Sequence, residues 1–389
     1  MRRYIQRFTE AFKKGDLVLL LLLVVATTFG CLMIASTTNA TSAGALRYLI
    51  IQIGAAVAGI IVYVVISAVD TETFAEHRIP MVLFNTGLLL LLIPFGQTIS
   101  GNRSWLNFPF LPFNIQPAEI CKITYVLIMA SVMVANQNRL SGLRSILHMA
   151  MHLGILAGLN WLISGDAGVS LIFFGIFVGM ALSGGVSMFW FGVAALGFIL
   201  AFPVVWNVIM DDYQQLRIEV LFRPELDPNG TGPLYQTVRA LRSLTGGGLT
   251  GQGLFQGHRT QTPGALYAQH TDFIFCAIGE ELGFVGCALV LLVLFLIVFR
   301  CIWVGIRSQD TLRRLVCFGV ASSLIFQIIV NIGMCVGVMP VIGLTLPFIS
   351  YGGSSIITLY AMLGLVSGVY ARPNASSHER YIRPPLQHI

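Results

Sequence analysis

Six ionisable residues fall within or at the edge of apolar runs: Glu119, Lys122, Asp166, Asp272, Glu280 and Glu281. Charge near the centre of a bilayer is costly even on the most lenient insertion scale, so each of these groups requires a partner or a function. Glu119 and Lys122 stand three apart and share one helical face. They form either a local neutralising ion pair or a site where Lys122, the one lysine outside the N-terminal tail, meets an anion in a cavity. Asp272 follows His270-Thr271. It is either a first-turn acid complementing a helix dipole, with Thr271 as N-cap, or a carboxylate base at the mouth of a polar pocket. Glu280 and Glu281 fall roughly 12 to 14 Å further along at about 1.5 Å per residue, and neighbouring positions point about 100° apart. Both therefore cannot face one partner, which fits packing as well as it fits chemistry. Arg103, just before Trp105, and Arg217 add cations of the kind that hydrogen-bond phosphates.

Other chemistries have less support. The seven cysteines (Cys31, Cys121, Cys276, Cys287, Cys301, Cys317 and Cys335) lie in or beside apolar runs with no CxxC spacing, so they are expected to be small apolar fillers. Neither His258 nor His270 has a second histidine at metal-ligand spacing, and no metal-ligand set is assigned.

The elements that must position these groups follow from composition. Of 389 residues, 56% are hydrophobic and 10% charged, with a mean hydropathy of +0.81. A soluble domain averages about 25% charged residues, so the chain is expected to be an all-α polytopic membrane protein. Its net charge of +6 is spread along the chain rather than gathered, which argues against nucleic acid as a partner. About ten spans are expected, over 17–36, 47–68, 80–97, 117–135, 147–164, 167–183, 187–206, 272–300, 312–337 and 349–370. Ser164-Gly165-Asp166 reads as either a loop or a break within a hairpin. The basic N-terminus (Arg2, Arg3, Arg7, Lys13, Lys14) with no small-residue cleavage site predicts an uncleaved first helix. An even number of spans puts both termini on one side. Placing that side in the cytoplasm puts Arg139, Arg144, Arg300, Arg307, Arg313, Arg314 and most other cations inside. Residues 207–271 then form one large extracytoplasmic loop within a single domain, 1–389. Its length, lack of clear periodicity and Gly246-to-Gly253 glycine cluster suggest a lid or binding loop. Near the C-terminus, the run from Pro340 to Ser355 breaks helical geometry at membrane depth, which is tolerated only under protein cover or beside a water-lined cavity.

Seven segments, in order along the chain, resemble the SEDS family (shape, elongation, division and sporulation), which includes RodA and FtsW. They are Asn102-Arg103-Ser104-Trp105, Gln116-Pro117-Ala118-Glu119 with Lys122, Asp227-Pro228-Asn229-Gly230, His270-Thr271-Asp272-Phe273-Ile274-Phe275, Gly279-Glu280-Glu281-Leu282-Gly283, Asn331-Ile332-Gly333 and Ser350-Tyr351-Gly352-Gly353-Ser354-Ser355. The resemblance implies a peptidoglycan glycosyltransferase of the bacterial cytoplasmic membrane that polymerises lipid II at the outer face for elongation, division or sporulation. It also implies a class B penicillin-binding protein as partner, dependence on a divalent cation (Mg or Mn), and Asp272 as the essential aspartate. Phosphate- and substrate-facing roles are expected for Arg103, Gln116, Glu119, Lys122, Arg217, Ser350 and Tyr351. The chain departs from the family pattern at Gly165-Asp166-Ala167-Gly168, which keeps the acid without the preceding proline, and at Gly251-Gln252-Gly253, Ala268-Gln269 and Ile342. Loop roles for a lysine or glutamate therefore do not transfer. Two competing readings are a lipid II flippase, which needs polar groups across both leaflets, and a non-catalytic scaffold of the elongation or division machinery.

Overall fold

The computed structural model describes residues 14–38, 43–99, 101–109 and 111–372. The basic N-terminal residues up to Lys13, together with Arg380 and Arg383, lie outside the described residues. Among the described residues, ten helices are long and apolar enough to cross a membrane: Leu17–Thr37, Leu46–Ala68, Arg78–Phe95, Pro117–Ala135, Leu143–Ser164, Ala167–Gly184, Met188–Val208, Ile274–Arg307, Thr311–Cys335 and Gly353–Ala371. These are the ten expected spans, with ends moved by a few residues. The chain is a multi-pass membrane protein.

The helices are α1 (Leu17–Thr37), α2 (Ala43–Ala68), α3 (Arg78–Leu90, continued by Leu92–Phe95), α4 (Pro117–Ala135), α5 (Leu143–Ser164), α6 (Ala167–Gly184), α7 (Met188–Val204), α8 (Asp212–Phe222), α9 (Tyr235–Gly246), α10 (Ile274–Arg307), α11 (Thr311–Cys335) and α12 (Gly353–Ala371). α12 packs along α2, and α11 lies against α10, α6 and α4. α11 and α12 bury most of their surface, whereas no described residue of α7 is buried.

The fold is not purely helical. The third span ends at Phe95, and β1 (Gly96–Ile99) pairs antiparallel with β2 (Asn102–Leu106). Between the fifth and sixth spans there is a true turn. Gly165 closes α5 in the left-handed conformation, and Asp166 caps α6 by accepting from Val169 N at 3.0 Å. The long loop contains two helices, α8 and α9, where no periodicity was expected. α9 is amphipathic, with Val238, Leu241 and Leu244 at three-residue spacing and with Thr237, Ala240 and Ser243 buried.

The 34 residues of α10 would measure roughly 50 Å as one rod, well beyond a bilayer core of about 30 Å. The helix is broken at Gly283, where φ is 66° and ψ is −164°. The glycine loop fills the break. Gln252 N and Gly253 N donate to the carbonyls of Glu280 and Glu281, while Phe284 N and Val285 N donate to those of Gly248 and Leu249. A Cβ on Gly283 would lie 2.4 Å from Gly251 N, so the close approach requires glycine.

Candidate functional site

Asp272 is not in the first turn of α10. The helix begins at Ile274 with Phe273 as N-cap, and Thr271 donates its hydroxyl to Ala268 O instead of capping. The expected Thr271 cap is lost because residues 268–273 close on themselves, with Thr271 N and Phe273 N both donating to Ala268 O. The turn so formed presents a half-buried Asp272.

Three neighbouring elements hold this turn. Asn331 of α11 donates its amide to Asp272 O at 2.8 Å and to Leu344 O at 2.6 Å. Ser350 is buried; its hydroxyl donates to Thr271 O at 2.6 Å and accepts from Leu346 N at 2.8 Å. Tyr351 N donates to His270 O at 2.8 Å, and the rings of Tyr48, His270 and Tyr351 pack together at 5.0 to 5.8 Å. Gln52 of α2 fixes the Ser350 carbonyl and Gly352 N. The irregular run from Pro340 to Gly352 is therefore covered by protein and clamped onto the Asp272 turn. Gly168 allows it to pass, since Ile342 O lies only 2.9 Å from where a Cβ would stand. Ser350 acts here through its hydroxyl and carbonyl, and Tyr351 through its backbone N–H and its ring, holding the turn in place.

A second carboxylate lies within electrostatic reach of the first. Asp166 is buried at the α6 cap, accepting from Gln116 Nε2 at 2.9 Å and more loosely from the Ser104 hydroxyl at 3.5 Å. Burial raises its pKa above the ordinary carboxylate value. Asp272 is pushed up from 3.8 to about 6, first by burial and then by the negative charge of Asp166, with a Thr271 hydrogen bond opposing. His270 is held below the ordinary imidazole range by burial. An acid poised near neutrality beside a fixed second acid suits proton transfer.

Glu119 and Lys122 meet in a 2.8 Å ion pair, with side chains 6% and 1% exposed. Glu119 also accepts from the Thr358 hydroxyl at 3.1 Å, and Lys122 donates to Gln327 at 3.5 Å. Gln327 continues to Thr345 O at 3.0 Å, so this buried network ends on the same irregular run that flanks Asp272. The geometry favours the neutralising reading of Lys122. Arg103 is exposed, and its guanidinium donates to the carbonyls of Ile93 and Gly96, closing the end of the third span. Arg217 lies apart, exposed on α8. Glu280 and Glu281 are buried and face the loop. Glu280 accepts from Arg259 N and the Thr260 hydroxyl, and Glu281 from Ser36, Gln261 and Phe255 N. Gln52 and Gln327 also belong to the site, and an amide inside an apolar run is the sequence signal that marks them. Asp166 stood out as an acid, but its link to Gln116 had no sequence signature.

Asp272 and Asp166 offer hard oxygen ligands but no full cage, and no group of three His, Cys, Asp or Glu side chains converges among the described residues. That fits a cation completed by phosphate oxygens and water, which is how Mg²⁺ is usually held.

A ten-span bundle whose longest helix breaks beneath a glycine loop, with a clamped aspartate turn beside the break, defines a membrane protein with a polar site at one end. The family described as cell cycle proteins, which groups FtsW, RodA and SpoVE, matches residues 16–374, and the chain belongs to it. It is 33% identical over 366 residues to a probable peptidoglycan glycosyltransferase FtsW of Trichlorobacter lovleyi, covering 92% of this chain and 93% of that one. It is 32% identical to the peptidoglycan glycosyltransferase MrdB of Escherichia coli K12, covering 82% and 84%. Among solved structures, a chain from a study of the structural coordination of polymerization and crosslinking by a peptidoglycan synthase complex superposes with a TM-score of 0.76 at 26% identity, covering 92% and 97%. The rod shape determining protein RodA of Thermus thermophilus shares the fold at a TM-score of 0.66 and 24% identity, covering 93% and 98%.

Proposed function

We propose that the chain is a peptidoglycan glycosyltransferase that polymerises lipid II at the outer face of the bacterial cytoplasmic membrane, with both termini cytoplasmic. The observation that carries this reading is Asp272: a carboxylate poised near neutrality by burial and by Asp166, on a turn that three other elements hold still. Family membership and the named activity of the relatives support it.

Joining two sugars requires attack by an acceptor 4-hydroxyl on the anomeric carbon of the donor, with the pyrophosphate leaving. Asp272 takes the hydroxyl proton as general base. Gln116, Ser104 and Val169 N keep the Asp166 carboxylate anchored, so its charge keeps Asp272 basic. A divalent cation held by the substrate's phosphate oxygens near the charge of Asp166 would supply neutralisation of the departing pyrophosphate, and Asp272 as its ligand is the alternative to Asp272 as base. The Glu119–Lys122–Gln327 network holds the Thr345 backbone and hence the irregular run, a positioning role. At the opposite end of the bundle, polar groups are closed by their own partners: Asp16 with Arg300 at 2.7 Å, and Arg313 with Asp70 and Glu72 at 3.2 and 3.3 Å. That arrangement favours polymerase over flippase. A class B penicillin-binding protein is the proposed partner, in keeping with the synthase complex in which the similar chain was solved.

Purified protein with labelled lipid II and Mg²⁺ or Mn²⁺ is expected to yield glycan ladders on a gel. Their absence over a range of detergents and cations would sink the reading.

A further inference from the structure

A cavity of about 280 Å³ opens within the large loop, between α8, the turn before α9 and the Pro340-Val341 end of the irregular run. Arg217 stands in its wall with the hydroxyl-bearing Thr231 and Thr237, the ring of Tyr235, and an apolar floor that includes Val341. The wall is built in advance. Asp227, from the Asp227-Pro228-Asn229-Gly230 segment, is buried and accepts from Thr231 N at 3.1 Å and from Gly232 N and Leu234 N at 3.0 Å. Its carboxylate is thereby engaged by the backbone, and Arg217 is the one side chain with a formal charge at neutral pH among those lining the cavity. Arg239 stacks over Tyr235 at 4.1 Å, adding positive potential nearby. The volume and the mix of apolar wall with few polar groups are those of a small-ligand subsite.

Its position links it to the reaction. From Val341 the chain runs two residues, at most roughly 7 Å, to Gly343. There the Asp272 carboxylate lies 3.8 Å from where a Cβ would stand. We propose that this cavity seats an oxyanion of the lipid-linked substrate while the sugars meet at Asp272. The oxyanion is either a phosphate of the pyrophosphate or a carboxylate of the peptide stem. The inference rests on the polymerase reading and adds a binding subsite built by the loop.

The test measures binding and turnover separately on the full chain in detergent. Labelled lipid II is titrated for Kd, and glycan ladders are scored in parallel. Arg217→Ala is expected to raise Kd about tenfold, the size of one lost charge-assisted hydrogen bond. Val341→Phe, which fills the cavity, is expected to raise it at least as much, and Arg217→Lys to restore part of the loss. Inorganic pyrophosphate and the lipid-free disaccharide pentapeptide then compete for binding, and the source of the oxyanion is the competitor whose potency falls in Arg217→Ala. Ladders from the wild type with an unchanged Kd in both Arg217→Ala and Val341→Phe would overturn the cavity and leave the polymerase standing. Tenfold weaker binding in the variants of a protein that makes no ladders would do the reverse. A competitor profile identical in wild type and Arg217→Ala would also overturn the subsite.

Discussion

Asp272 carries two opposed demands, because the burial that makes it a better base also makes its charge a burden on the fold. A carboxyl raised from 3.8 to about 6 binds its proton more tightly in the folded chain than in the unfolded one. Its ionisation therefore weakens the fold, a cost absent below about pH 4 and complete above about pH 6. Asp272→Asn is expected to abolish glycan synthesis while raising Tm at pH 7.5, by a margin that closes on acidification to about pH 4. Normal ladders from this variant would remove Asp272 from the chemistry. The polymerisation rate of the wild type should fall in acid with a midpoint near about pH 6, as the base takes up its proton. Asp166→Asn deletes the second cause of the shift, so its midpoint should move to lower pH; a midpoint that stays put would mean burial alone sets the value. The buried ion pair gives a further residue-scale prediction. Lys122→Met strands Glu119 and should destabilise by about 3 kcal/mol, and adding Glu119→Gln should recover most of that. A double variant that regains Tm but not glycan synthesis would return Lys122 to the substrate.

At the scale of elements, the break in α10 is a joint between the loop and the membrane bundle. Its freed backbone groups are paired with residues 248–253, and the Glu280 and Glu281 side chains take up donors from residues 255–261 and from Ser36 of α1. Buried donors left without a partner are costly, so the latch should act as a unit. Glu281→Ala is expected to undock residues 252–261, read as several-fold faster tryptic cleavage after Arg259, while Glu281→Gln, which keeps an acceptor, should cleave closer to the wild-type rate. Equal cleavage in all three proteins would show that the backbone pairing at Gly283 suffices alone.

For the whole molecule, the proposed orientation places the loop outside and the Ser308 turn inside. A cysteine at Leu249, exposed in the loop, should react with a membrane-impermeant maleimide in intact cells, and one at Ile306 should react only after lysis. The opposite pattern would invert the topology and with it the outward-facing reaction.

Hydropathy determined the ten spans because lipid solvates each run of roughly 20 residues separately, so insertion is a local property of the chain. The same local reasoning marked Asp272, the Glu280-Glu281 pair and the broken Pro340 run, since each violates it. Partner choice is not local. Only the tertiary structure turned Lys122 inward to Glu119 and Gln327, set Arg103 of β2 against the carbonyls at the end of the third span, joined Gln116 to Asp166, and showed Thr271 leaving its cap. Residues 119 and 358, or 272 and 331, become neighbours only when particular helices pack side by side. That pairing is decided by small residues and buried hydrogen bonds rather than by the apolar content of any one span.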